Sequence, residues 1–131
     1  MNKSCLILSI LVLSVLPMNA GTPLVLLHTN DTHSQLEPYE TAEAKAAWLK
    51  SVKKCNVVIC LSHLGFDNKG EAPDDIRLAE KTKSIDVIIG GHSHAFMRNP
   101  AKKVNAVGDT VIINQVGKGG IYVGRIDLDV D

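Results

Sequence analysis

Short continuous apolar runs alternate along the chain with stretches in which apolar residues recur at helical spacing. The runs at residues 24–27, 56–61 and 86–89 are typical of strands that are buried on both faces of a parallel sheet. Residues 41–53 have helical spacing behind Thr41, which can cap a helix, and a second helix is predicted to begin at Pro73-Asp74 and to end near Thr82. The alternation predicts an α/β domain.

Two further strands are predicted near the end of the chain, at residues 110–115 and 120–129, joined by the loop at 116–119. In the second, apolar residues alternate with polar ones, which is typical of an edge or surface strand. These apolar residues are Ile121, Val123, Ile126 and Leu128. Several loops that directly follow predicted strands are polar, and open α/β sheets bind their ligands at that edge.

The first twenty residues have the pattern of a secretory signal peptide. Lys3 supplies a basic start, residues 5–16 form an apolar run interrupted only by two serines, and Ala20 is a small residue at the predicted cleavage point. The run is shorter than the roughly 20 apolar residues that span a bilayer, although an uncleaved anchor remains an alternative. We therefore expect residues 21–131 to be exported, into the periplasm or the medium.

The overall composition excludes some classes of protein. The chain has 14 basic and 14 acidic residues and 45% hydrophobic residues. A balanced charge argues against a nucleic-acid scaffold, and the apolar content argues against disorder. The two cysteines of residues 21–131, Cys55 and Cys60, are five positions apart on one predicted strand and should point to opposite faces, so no disulfide is expected between them.

Candidate metal ligands occupy three loops that follow predicted strands. Asp31 and His33 form one group, His63 a second, and His92 with His94 a third. In an extended segment, residues i and i+2 share a face, so each i, i+2 pair can converge on one point. Imidazole and carboxylate groups bind divalent ions such as Zn, Mn or Fe. The remaining histidine, His28, is interpreted as structural.

At these loops the sequence resembles the 5′-nucleotidase family of calcineurin-like metallophosphoesterases. The matching stretches are LHTNDTHSQ at 27–35, LSHLG at 61–65, IGGHSH at 89–94 and NQVGKGG at 114–120. The resemblance implies hydrolysis of phosphate esters of small exported nucleotides, with related members acting on cyclic nucleotides or nucleotide sugars. It also implies an α/β/β/α sandwich, in which two sheets pack face to face between helices.

The resemblance further implies two divalent ions. Asp31, His33 and His94 would hold one ion, and His63 and His92 would hold the other. Such a pair of ions polarises the phosphoryl oxygens and activates the attacking water. No catalytic residue other than these ligands is assigned.

The sequence departs from the family pattern between its first and second motifs. The family's bridging Asp, in a Gly-Asp motif, and its Gly-Asn-His-Glu motif are missing, and only 29 residues separate His33 from His63. The only Gly-Asp, at Gly108-Asp109, is expected in a hairpin turn. We therefore predict an internally deleted domain over 21–131 with a join near 38–39, an incomplete sandwich that also lacks the family's C-terminal nucleotide-binding domain.

Three functions remain open at this point. The first is an exported, metal-dependent phosphoesterase that acts in nucleotide catabolism. The second is a non-catalytic remnant or single-metal-binding module, and the third is a small metal-binding or partner module. None of the three requires nucleic acid, or a membrane after signal cleavage, and the oligomeric state is open.

Overall fold

The computed structural model describes residues 26–28, 38–70 and 72–128 of the chain. The predicted signal peptide, the candidate ligands Asp31 and His33, and most of the first motif lie outside these residues. The elements in chain order are β1 Leu26–His28, α1 Pro38–Ser51, β2 Ile59–Leu61, α2 Asp75–Lys81, β3 Val87–Ile89, β4 Ala101–Val104 and β5 Thr110–Asn114.

The strands form one five-stranded sheet in the order β1-β2-β3-β5-β4. The pairs β1–β2, β2–β3 and β3–β5 are parallel, whereas β4 and β5 form an antiparallel hairpin. Because β2, β3 and β5 run parallel, their carboxyl ends lie at one edge of the sheet; α2 connects β2 to β3, and β4 lies between β3 and β5 in the chain. The predicted α/β class is confirmed as a mixed sheet with few helices.

Both helices form where the sequence predicts them, within a few residues. The helix α1 begins at Pro38, three residues before the predicted start, because proline is well suited to the first turn, where its missing N–H is not needed. The helix α2 begins after Asp74, whose side chain accepts a hydrogen bond from Arg77 N at 2.7 Å. It ends at Thr82, whose backbone N–H donates to Leu78 O.

The core lies on the face of the sheet that the two helices cover. Ile88 of β3 pairs with Ile113 of β5, and both are fully buried. Their neighbours in this core are Ala46, Leu49, Cys55, Val58, Leu78, Ala79, Ile85 and Val111. Burial of these apolar side chains is the main term that holds the sheet and helices together.

The β4–β5 hairpin was only half predicted. Gly108-Asp109 lies in its turn, as the sequence indicated, and Asn105 Oδ1 accepts hydrogen bonds from Val107 N and Asp109 N. The strand β4 was not predicted, because its sequence contains Lys102-Lys103 and lacks an apolar run. Charged residues are common on edge strands, where they discourage pairing with other chains.

The strand predicted at 120–129 is wrong over the described residues 120–128, which contain no strand. Val123 is 95% exposed there, and Ile121 is also exposed. The alternating pattern defines one apolar face, but a strand also needs a neighbour for its backbone hydrogen bonds. No described strand pairs with this segment.

The two cysteines are free, as predicted, although only Cys60 lies within a strand. Cys55 is buried ahead of β2, where its backbone N–H donates to Leu49 O. Among the described helices, neither is long and apolar enough to cross a membrane.

Shortening the core side chain Ile113 to alanine should destabilise the fold. Ile113 is 0% exposed, and Ile113→Ala leaves a cavity between the sheet and the helices, so we expect a loss of about 2–5 kcal/mol in the free energy of unfolding. Urea unfolding measures this, with Val123→Ala as the exposed control. Equal losses in the two variants would contradict the described core.

Candidate metal centre

The candidate site lies at the carboxyl edge of the sheet, where the loops after β2, β3 and β5 begin. Backbone hydrogen bonds continue past the strand ends and keep these loops side by side. Ser62 N donates to Ile89 O at 2.8 Å, and Gly90 N donates to Asn114 O at 2.9 Å. The loops therefore leave the sheet together, with their first residues in register.

Two of the predicted ligands are brought together at this edge. The ring centroids of His63 and His92 lie 5.3 Å apart, and the ring planes are inclined at 77°. Both residues are exposed. The backbone also approaches closely, because a Cβ added at Gly91 would lie 3.0 Å from His63 Nδ1.

The separation of these two rings fits the binding of one ion by both. Two imidazoles whose nitrogens each lie about 2.0–2.1 Å from one ion, at a roughly tetrahedral angle, have ring centroids about 5 Å apart. Imidazole nitrogens are also the donors that first-row divalent ions prefer. The separation of the His63 and His92 rings therefore matches that of two ligands of one ion.

The backbone at His92 and His94 differs from the sequence-based expectation. His92 and His94 have φ values of 67° and 56°, which are left-handed, so the segment is not extended. The argument that residues i and i+2 share a face therefore does not apply to this pair. His94 is exposed on the same loop as His92.

Within residues 38–70 and 72–128, no group of three or more His, Cys, Asp or Glu side chains is close enough to hold an ion. The described residues thus supply a pair of imidazoles at the sheet edge. The assignment of Asp31, His33 and His94 to one ion, and of His63 and His92 to another, stays a prediction.

A buried carboxylate next to this edge was missed by the sequence reasoning. Asp75, in the first turn of α2, is 0% exposed. It accepts from Ser62 Oγ at 2.5 Å and from Gln115 Nε2 at 2.9 Å. Burial raises the pKa of Asp75, and these two hydrogen bonds act against that rise. Adjacent aspartates at a helix start suggest only capping, so their burial could not be expected from the residue pattern.

The thiol of Cys60, in β2, is made unreactive by its own burial. Desolvation, together with the negative charge of Asp75, raises the pKa of Cys60 to about 11. Its thiol therefore stays protonated at neutral pH, and a protonated thiol is neither a good nucleophile nor a metal ligand.

Gly90 leaves the space that the Asp75 carboxylate occupies. A Cβ at Gly90 would overlap Asp75 Oδ2 and would lie 2.7 Å from Gln115 Nε2. Any side chain at this position must displace the carboxylate or the amide. The Gly-Gly before His92 is therefore explained at its first position by this close approach.

Comparisons with known proteins give a consistent family. A family model for the calcineurin-like phosphoesterases matches residues 7–96, which is more than half of the chain. The trifunctional nucleotide phosphoesterase protein YfkN of Bacillus subtilis is 32% identical over 114 residues, covering 80% of this chain and 7% of the relative. A 5′-nucleotidase of Vibrio cholerae is 33% identical over 111 residues, covering 71% of this chain and 20% of the relative.

The fold also resembles a solved structure, that of the NAD nucleotidase NadN of Haemophilus influenzae. The TM-score is 0.51 at 28% sequence identity, with 61% of this chain and 15% of that chain covered. The chain thus spans at most a fifth of the length of each of these three proteins.

Adding a methyl group at Gly90 should destabilise the sheet edge. Gly90→Ala forces Asp75 or Gln115 to move, and overpacking of this kind costs about 1–3 kcal/mol. Differential scanning calorimetry should show a Tm lower by several degrees. Gly70→Ala is the control, since a Cβ there meets only Asn68 O at 3.4 Å. An unchanged Tm in Gly90→Ala would contradict the described packing.

Proposed function

Because the chain belongs to the calcineurin-like phosphoesterase family, as its motifs predicted, we propose that it is an exported, divalent-metal-dependent phosphoesterase of the 5′-nucleotidase type. Its substrates are the phosphate esters of small nucleotides. The observation that supports this most directly is the approach of His63 and His92 at the carboxyl edge of the sheet, at the separation that shared binding of one ion requires.

The proposed ligands divide into two groups. His63 and His92 hold one ion, and Asp31, His33 and His94 hold the other. Zn, Mn and Fe all suit these imidazole and carboxylate donors. Calcineurin-like phosphoesterases are generally divalent-metal dependent, so a metal requirement is the family expectation for this chain.

The proposed reaction divides its tasks between the ions and the side chains that bind them. The bound ions supply Lewis acidity toward the phosphoryl oxygens and the attacking water. The imidazoles of His63 and His92 must be neutral to bind, and their loops must hold the rings at a fixed separation. Their exposure leaves the edge open to a substrate from solution.

Export is proposed from residues 1–20 alone, since their basic start, short apolar run and terminal Ala20 form the pattern of a signal peptide. Processing would yield a product that begins at Gly21. N-terminal sequencing of the protein recovered from the periplasm or the medium tests this. An intact Met1 on the exported product would contradict it.

A second candidate function is the binding of a single ion without turnover. It is favoured by the missing Gly-Asp motif between the first and second motifs and by the missing Gly-Asn-His-Glu motif. Loss of one transition-state donor typically lowers kcat by about 10²–10³-fold. A chain lacking the bridging carboxylate and the electrophilic His would then bind an ion but turn over slowly.

Metal content and hydrolysis, measured on the same preparation, separate the two candidates. For the phosphoesterase we expect two ions per chain and hydrolysis of AMP and of an aryl phosphate. His92→Ala should lower turnover by about 10²-fold or more, because it removes a ligand, while the exposed β4 variant Lys102→Ala should leave it unchanged.

Each outcome of that experiment decides between the proposals. One ion per chain without turnover supports the single-ion module and contradicts the phosphoesterase. A folded chain that binds no ion contradicts both. Turnover that survives in His92→Ala would contradict the assigned ligand.

A further inference from the structure

Both side-chain hydrogen bonds of Asp75 run in one direction, toward its carboxylate. Ser62 Oγ donates to Oδ1 at 2.5 Å, and Gln115 Nε2 donates to Oδ2 at 2.9 Å. An ionised carboxylate can only accept, so it fixes which end of each partner faces it. Two series of hydrogen bonds therefore end at this carboxylate, each with a fixed donor-to-acceptor direction.

The first series of hydrogen bonds involves the residues directly before and after His63. Because the Ser62 hydroxyl donates its hydrogen bond to Asp75, its oxygen lone pairs are left to accept from the backbone. Leu64 N donates to Ser62 Oγ at 3.2 Å. The residues before and after His63 are thereby tied to each other and to Asp75.

The second series of hydrogen bonds involves the residues directly before and after His94. Because Gln115 presents Nε2 to Asp75, its Oε1 must face the opposite way. There it accepts from Ser93 Oγ at 3.0 Å and from Ala95 N at 3.2 Å. A reversed amide would set its NH₂ group against the Ala95 N–H and its oxygen against the Asp75 carboxylate, so the carboxylate and the Ala95 N–H favour the same orientation of the amide.

The two histidine loops are joined through the same system. Phe66 N, in the loop after β2, donates to Ser93 Oγ at 3.0 Å, and Ser93 Oγ in turn donates a hydrogen bond to Gln115 Oε1. The loop of His63 and the loop of His92 and His94 are thus connected by hydrogen bonds that end at Asp75.

Capping of α2 does not explain the burial of Asp75. The cap is Asp74, which accepts from Arg77 N, and the backbone N–H of Asp75 already donates to Gly65 O at 2.8 Å. Burial of a charged group is costly unless hydrogen bonds compensate it. Here one compensating donor, Ser62, comes from the loop that contains His63, and the other, Gln115, follows β5 and is hydrogen-bonded to the loop that contains His92 and His94.

We propose that Asp75 is a positioning residue, which sets the hydrogen-bond direction of both histidine loops through Ser62 and Gln115 and so holds His63 and the His92–His94 segment at the sheet edge. The proposal concerns the arrangement of the chain itself. It goes beyond the proposed phosphoesterase activity and does not depend on it.

Amide hydrogen exchange of the full chain, followed by NMR, tests the proposal without metal or substrate. In the unsubstituted protein, Leu64 and Ala95 N–H should be protected by Ser62 Oγ and Gln115 Oε1. Asp75→Ala removes the acceptor for both partners, and we expect exchange at these two amides to rise by about tenfold relative to the core amide of Ile88.

A conservative variant separates positioning from a loss of stability. Asp75→Asn keeps an oxygen for Gln115 and turns its amide group toward Ser62. Ala95 should then stay protected, while Leu64 exchanges faster because Ser62 Oγ also accepts from the new amide. This selective change remains measurable if Asp75→Ala does not fold.

The matched control is Asp86→Ala, which removes a different carboxylate, one that accepts directly from a backbone N–H. Asp86 Oδ2 accepts from Val58 N at 2.7 Å, before β2. This control should speed exchange at Val58 and leave Leu64 and Ala95 unchanged relative to Ile88. The proposal is overturned if Leu64 and Ala95 are unprotected in the unsubstituted protein. It is also overturned if the folded Asp75→Ala variant leaves them protected, or if Asp75→Asn changes neither amide or both equally.

Discussion

The arrangement of the candidate site depends on one buried carboxylate, that of Asp75. Taking this group out of water is unfavourable, so it must be surrounded by donors. The donors are Ser62, at the end of β2, and Gln115, after β5. Gly90, after β3, supplies the space between them. The carboxylate therefore lies where the first turn of α2 meets the ends of β2, β3 and β5, and the histidine loops begin at the first two of these ends.

Much of the fold could be predicted from local patterns, because hydrophobic periodicity and capping act over a few residues. The apolar runs that became β2 and β3 and the cap at Asp74 are of this kind. Predictions failed where structure depends on a distant partner. The strand expected at 120–129 lacks a described neighbour over 120–128, and the charged strand β4 exists because it pairs with β5.

The candidate site shows the same division between local and distant information. His63 and His92 could be found from the sequence because both follow apolar runs, and parallel strands bring such positions to one edge. The roles of Asp75 and Gln115 could not be found, because these residues are 40 positions apart and touch only in the folded chain. The left-handed backbone at His92 and His94 was also hidden, because a positive φ is uncommon for any non-glycine residue, even for histidine, which adopts it more often than most.

The folded chain itself holds the rings of His63 and His92 together, before any ion is bound. Nuclear Overhauser contacts between the ring protons of these two residues, recorded on the metal-free full chain, test this most directly. We expect cross-peaks between the two rings, consistent with centroids 5.3 Å apart in an edge-to-face arrangement. Assigned ring signals without such cross-peaks would contradict it.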